Sequence, residues 1–221
     1  RDRLACCRSN ASEDSVIARA PRQHDEDAAA PWSHDEDAML MLRVKTGDMQ
    51  AFEQLVERNT ARIHALVFRF LGDATLAEDL TQEAFLRIFK TARNYQPTAK
   101  FSTWLYRIVA NLSFNVRRDR KKAMSLSLET IGDDETRRQD LPDPNSESPC
   151  HDLDDHELGE KLAQAVAMLP DNQRIGFILN RYEYKNYDEI AEILDCSTMA
   201  VKSLLSRARG NLRLAMMKYL T

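Results

Sequence analysis

Two stretches of helical periodicity are separated by a stretch that cannot continue either of them, and this break constrains the fold most. From about Asp35 to Lys122 apolar residues recur three and four apart: Phe52, Leu55, Val56, Ile63, Leu66, Val67 and Phe70, then Leu76, Leu80, Ala84 and Ile88. That spacing puts them on one face of a helix. Residues 123–153 carry three prolines, clustered acids and few apolar side chains, the composition of a flexible linker. Periodicity then resumes with Leu158, Leu162, Ala165, Val166 and Leu169, stops at Pro170, and returns with Ile175, Ile178, Leu179 and Tyr182. Glycine is scarce, at 6 of 221 residues, and 30% of the chain is charged, which favours solvent-facing helices over a β-rich fold. The expected fold is all-α, with two small helical domains at about 35–122 and 154–221.

Local punctuation supports the division. Gly47-Asp48 reads as a break followed by an N-cap, and Gly72-Asp73 as the end of one helix and the start of the next. Tyr95-Gln96-Pro97 closes that helix; Ser102 or Thr103 is expected to cap the one after it, Asp171 the helix after Pro170, and Ser197 or Thr198 the last. Residues 1–34 are polar, with a near-repeat of HDED beside His24 and His34; a disordered tail is expected there rather than a metal site. Cys6, Cys7, Cys150 and Cys196 show no C-x-x-C spacing, so reduced thiols are expected rather than disulfides or zinc. No apolar run approaches the ~18 residues of a membrane span, and the first residues lack a secretory core, so a cytoplasmic protein without membrane insertion is expected.

The net charge of −4 conceals segregation. Residues 101–122 carry +5, residues 196–221 carry +5 with no acid, and residues 129–157 carry −9. Local charge decides what a surface attracts. Within 187–213, a short helix (Ile190, Ala191, Leu194), a turn at Asp195-Cys196-Ser197 and a longer helix reproduce the helix-turn-helix pattern, whose second helix enters the DNA major groove. On that second helix Val201, Leu204, Leu205, Ala208 and Leu212 share one side, and Lys202, Ser203, Ser206, Arg209 and Arg213 the other, with Arg207 toward an edge. Cations and hydroxyls so arranged reach phosphates and base edges. Asp195 stands where glycine is common in such turns.

The segment FSTWLYRIVANLSFNVRRDRKK (101–122) has two stripes. Leu105, Ile108, Val109, Leu112 and Val116 form an apolar face; Trp104, Arg107, Asn111, Phe114 and Arg118 line a broadly opposite one. Aromatic rings and cations at that spacing stack on unpaired bases and follow a backbone; the same rings can also pack on neighbouring helices, and the stretch by itself does not separate the two readings.

In order, GDMQAFEQLVERN, AEDLTQEAFLRIFK, the 101–122 segment and LPDNQRIGFILNRYEYKNYDEIAEILDCSTMAVKSLLSRARGNLR resemble a bacterial sigma-70 family transcription initiation factor of the extracytoplasmic-function (ECF, group IV) type over about residues 35–221. The resemblance implies region 2 followed by region 4 and a factor that gives core RNA polymerase its promoter specificity. It implies docking of Asp79, Gln82, Glu83 and Phe85 on the clamp helices of the largest polymerase subunit, and of region 4 on the flap of the second-largest. Trp104, Arg107 and Asn111 match the segment that melts and reads the −10 element, with Arg117, Arg118 and Lys121 on phosphates. Thr198, Lys202, Ser203, Ser206, Arg207 and Arg209 fall on the helix that reads the −35 element; Leu204 replaces an arginine often found there. An anti-sigma partner is implied, and no cofactor. The competing expectation is a stand-alone helix-turn-helix regulator. An enzyme is not expected: no Ser-His-Asp set, glycine-rich phosphate loop or H-E-x-x-H is present.

Overall fold

A computed structural model describes residues 35–130 and 153–219, with side chains for 35–123, 157–217 and 219. The polar tail with its two histidines, most of the acidic linker, and Cys6, Cys7 and Cys150 lie outside the described residues. Among those described there are helices and turns and no strand.

The first unit comprises α1 (Glu36–Lys45), α2 (Met49–Leu71), α3 (Ala74–Thr91), a 3-10 turn at Ala92–Asn94 and α4 (Phe101–Thr130). Helix α4 continues eight residues past the boundary expected at 122. Each early junction is fixed by a side chain that satisfies the open N–H groups of a helix start. Asp48 accepts from Ala51 N at 3.0 Å, and Asp73 from Leu76 N at 3.1 Å. Gly72, at φ 72°, adopts the left-handed conformation that closes α2, donating to the Phe68 carbonyl at 2.7 Å. The start of α4 differs from expectation. Ser102 and Thr103 lie inside its first turn, and the Phe101 N–H is taken by Asp35 Oδ2 at 2.8 Å, while Asp35 Oδ1 caps α1 through Asp37 N and Ala38 N. One carboxylate thus organises two helix starts, the second of them 66 residues away along the chain.

The second unit comprises α5 (Leu153–Ala167), α6 (Asp171–Arg181), α7 (Tyr187–Ile193) and α8 (Thr198–Met216), ending in a 3-10 turn at Met217–Tyr219. Pro170, not Asp171, occupies the N-cap of α6, with no side-chain cap bond. Proline fits there because the missing N–H is an unused donor anyway, and Asp171, as the first helical residue, is left to pair elsewhere. Asn186 and Glu189 form a reciprocal capping box at α7, and Ser197 caps α8.

The core follows the predicted stripes except at Leu158 and Tyr182, which are exposed. Leu55, Ile63, Val67 and Phe70 of α2, Ala84 and Ile88 of α3, and Phe101, Leu105 and Tyr106 of α4 are almost fully buried. The same apolar cluster continues without a break into Ile175, Ile178, Leu179, Ile190, Val201 and Leu205 of the second unit. A smaller cluster, Ala165, Val166, Leu169, Ala208, Leu212 and Met216, ties α5 to α8. The two units are therefore packed on one another, α6 against α2 and α7 against α4.

Candidate nucleic-acid and polymerase interfaces

Helix α4 separates the residues that the sequence grouped. Trp104 is half-buried in an aromatic cluster, 5.2 Å from the Tyr95 ring and 5.7 Å from Phe101. Phe114 packs edge-on against Phe70 at 5.5 Å. Both rings are in packing contact in this arrangement. Asn111 and Arg118 are exposed. Arg107 donates through Nε to the Glu192 carbonyl at 3.1 Å, Arg117 pairs with Asp171, and Lys121 reaches the other oxygen of Asp171 at 2.7 Å. These three cations are held by the second unit.

The helix-turn-helix is assembled by α7 and α8. Asp195 sits at φ 49°, so the position usually given to glycine keeps the glycine-type conformation; Asp tolerates it better than most side chains because its short polar group bonds locally. The turn closes with Cys196 N on the Ala191 carbonyl at 3.0 Å. Ala191 and Val201, ten residues apart, are both buried at the crossing. Val201, Leu205, Ala208 and Leu212 face inward, and Lys202, Ser203, Ser206, Arg207 and Arg209 are exposed. Thr198 Oγ1 donates to Asp188 at 2.9 Å, and Arg209 lies 3.3 Å from Asn180 Oδ1 and 3.4 Å from the Tyr187 hydroxyl. Leu204 is half-buried and lies over Gly176 of α6, so it serves the helix crossing rather than the exposed face.

On α3, Asp79 and Gln82 are exposed, Glu83 pairs with Arg87 at 2.8 Å, and Phe85 is buried. Gln82 and Phe85 border a groove of about 470 Å³ between α2 and α3, completed by Met49, Phe52, Val56, Leu86 and Phe89. Leu86 and Phe89 are 53% and 44% exposed, a large apolar outlay on a solvent face. The sequence reading missed them. Their signal was position: both fall off the stripe of Leu80, Ala84 and Ile88, where a soluble helix normally carries polar groups.

Between the units lies a buried polar cluster. Glu183, in the turn after α6, accepts from the Tyr106 hydroxyl and from Arg62 Nε, the latter at 2.7 Å. Burial, then the neighbouring carboxylate, push the Tyr106 hydroxyl well above the ordinary phenol range. Lys185 donates to Ser102 Oγ at 2.7 Å, and burial holds its ammonium below the usual lysine range. Lys100 bonds Glu189 at 3.1 Å. Burial raises the Glu189 carboxyl, but the Asn186 N–H and the two lysines outweigh it, and the net direction is down.

The sequence matches the family described as Sigma-70 region 2 over residues 55–123, which spans α3 and most of α2 and α4, and Sigma-70, region 4 over residues 159–212, which spans the helix-turn-helix. It is 33% identical to ECF RNA polymerase sigma factor SigW of Bacillus subtilis, over 77% of this chain and 91% of that protein. The chain belongs to the ECF group of the sigma-70 family. This sigma factor is also 33% identical to the RNA polymerase sigma-H factor of Pseudomonas aeruginosa, over 77% of the chain and 88% of the relative. It is 36% identical to ECF RNA polymerase sigma factor SigE of Mycolicibacterium smegmatis over 76% of the chain, spanning 63% of that relative's length. Two solved structures share the fold. One is CnrH in complex with the cytosolic domain of CnrY (TM-score 0.60, 22% identity, 83% of this chain and 99% of that one). The other is the sigma factor RpoE of Bartonella quintana with the anti-sigma factor NepR (TM-score 0.59, 21% identity, 75% of this chain and 96% of that one). Among the described residues of this sigma factor no helix is long and apolar enough to cross a membrane.

Proposed function

We propose that the chain binds core RNA polymerase and directs it to promoters, its first unit melting and reading the −10 element and its second reading the −35 element. One observation carries the reading: a single chain joins a helix-turn-helix with an exposed face of hydroxyls and cations to the four-helix region 2 unit that bears Asn111, Arg117, Arg118 and Lys121 on α4. Helix α8 is the duplex reader, with Lys202, Ser203, Ser206, Arg207 and Arg209 toward base edges and phosphates. Asn111 is the candidate for an extruded base, and stacking on Trp104 contributes ~1–3 kcal/mol per base where such contacts are measured.

Asp79, Gln82, Glu83 and Phe85, with the apolar groove beside them, fit the clamp helices of the largest polymerase subunit: the groove offers burial and the exposed acid and amide a polar rim. Leu214 near the end of α8, with Met217 and Tyr219 in the 3-10 turn after it, is exposed as they are and offers with them an apolar surface to the flap of the second-largest subunit. The Bartonella neighbour holds an anti-sigma factor, and a partner of that kind is proposed for this chain. The protein works in the cytoplasm and is not an enzyme: specificity, not a reaction, is what it supplies to the polymerase.

Run-off transcription with purified core polymerase on a genomic fragment library tests this. Discrete transcripts that require the added protein are expected; their absence overturns the proposal. A stand-alone regulator gives instead a footprint without polymerase. On a promoter so identified, Asn111→Ala weakens open-complex formation while polymerase binding survives, and Arg207→Ala weakens protection of the −35 duplex.

A further inference from the structure

The outward side of α8 has a strip of uneven chemistry along its middle. Met199, Ser203, Ser206 and Gly210 follow one another at spacings of four, three and four, on the side opposite Val201, Leu205, Ala208 and Leu212, and all four are exposed. Lys202 and Arg209 flank the strip on one side and Arg207 on the other. Three members of the strip are short. A Cβ built on Gly210 would meet nothing among the described residues within 4 Å, so the strip is open to whatever approaches it. Met199 is its one long side chain, and it is 74% exposed. Apolar residues scattered singly over a surface need no explanation; this one is set apart by where it stands. Ser197 caps α8, which puts Met199 in the first turn, and in a helix-turn-helix the N-terminal residues of the second helix are the ones that meet base edges.

The neighbours narrow what this turn can read. Thr198, beside Met199, donates its hydroxyl to Asp188 at 2.9 Å. Helix α8 contains no aspartate or glutamate, the residues that accept from the cytosine amino group. Its one amide, Asn211, donates to Gln173 at 2.8 Å and lies off the strip, so the paired amide bonds that select adenine are not offered there. Lys202, Arg207 and Arg209 suit guanine edges and phosphates, and serine hydroxyls serve more than one base. An apolar side chain has one specific partner in the major groove, the 5-methyl group of thymine. Methionine suits it: the chain is unbranched, and its rotatable bonds let it settle on a group whose position it does not fix. Contact takes both surfaces out of water, which the exposed methionine of the free protein cannot do.

We infer that Met199 is a specificity-determining residue: it packs on the 5-methyl group of a thymine in the −35 duplex and makes the protein select promoters that carry thymine at that position. The inference rests on the functional reading above that α8 enters the −35 duplex, and it adds an apolar base contact to the polar ones named there.

The test uses polymerase assembled with the full chain and a promoter obtained from the run-off library, at a temperature low enough to keep the strands closed. Each thymine of the −35 duplex, on either strand, is replaced in turn by uracil, which differs only in lacking the methyl group. With the wild-type chain one such replacement should weaken binding about fourfold, the effect of one buried methyl group. Met199→Ala should weaken binding to the unmodified promoter by at least that factor and should no longer respond to uracil at that one position. Arg207→Ala should weaken binding to the unmodified promoter and keep the uracil response, because its contact is polar. Met199 is exposed, so the far-ultraviolet circular dichroism and thermal midpoint of Met199→Ala should match the wild type. A −35 duplex without thymine, uracil replacements that leave wild-type affinity unchanged at every position, or a uracil response that Met199→Ala retains overturns the inference while the −35 duplex is still protected. A wild-type chain that leaves the −35 duplex unprotected refutes the reading of α8 itself, and the assignment of Met199 falls with it.

Discussion

Gly176 sits in the middle of α6, where glycine is a poor choice for a helix, and the structure gives the reason. A Cβ built there would stand 2.5 Å from Cδ2 of Leu204 on α8, a separation that forces a shift. Gly176→Ala therefore has two opposed parts. The helix gains about 0.8–1 kcal/mol from the better residue, and the crossing loses about 1–3 kcal/mol from overpacking. Leu204 is half-buried and meets the new methyl with the tip of its side chain, and the difference of the two parts is a net loss of about 0–2 kcal/mol. Truncating Leu204 removes the obstacle. In a Leu204→Ala background the same Gly176→Ala change should gain about 1 kcal/mol, for a coupling of about 1–3 kcal/mol between positions on different helices. Urea denaturation of the four proteins of this cycle, followed by circular dichroism, measures it. If Gly176→Ala has the same effect in both backgrounds to within the ~0.3–0.5 kcal/mol expected of independent sites, the close approach does not exist in solution and the placement of α8 on α6 is wrong.

Tyr95 and Tyr106 are both buried, and burial first of all raises each hydroxyl above the ordinary phenol range. A raised folded value means stability is intact below the unfolded value of about 10 and is lost above it, at about 1.4 kcal/mol per pH unit for each; tyrosinate absorbance of these two should appear with alkaline unfolding, not before it. Gly72→Ala should cost about 1 kcal/mol, because a side chain at φ 72° is strained, and Gly72→Asn less; urea midpoints decide the order. Arg174 is 3% exposed, and burial, then Arg117, lower its guanidinium to about 10. That depression corresponds to about 3 kcal/mol against the buried charge, which its two carbonyl bonds offset; Arg174→Met should change thermal stability by no more than about 1 kcal/mol, and Arg174→Ala should destabilise by more because it also leaves a cavity.

What the sequence made legible was local. Asp48, Gly72-Asp73 and Ser197 were placed correctly because an N-cap and a left-handed C-cap are decided within a few residues. The helix-turn-helix was legible for the same reason, down to the departure at Asp195, which keeps the required backbone. Expectation and structure part where a distant group intervenes. Ser102 and Thr103 looked like caps, but Asp35 supplies the acceptor from 66 residues away. Asp171 looked like a cap and is a partner for Arg117 and Lys121. Trp104 and Phe114 could be read as stacking platform or packing, and the rings of Tyr95, Phe101 and Phe70 that surround them are not visible in a helical wheel. The polar part of the contact between the units was illegible for a further reason: beside the shared apolar cluster it is made by Glu183, Lys185 and Arg174, residue types that sequence patterns assign to solvent.

The double duty of Asp35 has a practical side for anyone who engineers the chain. Its side chain is the hinge pin on which α4 begins, although it belongs, by sequence, to the opposite end of the same unit. A fusion joint, protease site or chimera junction drawn at the first obvious helix, at Glu36, would discard it and leave α4 with an unanswered amide at its first turn. Junctions should be cut upstream of it, and a swap of α4 between relatives should carry the matching acid along.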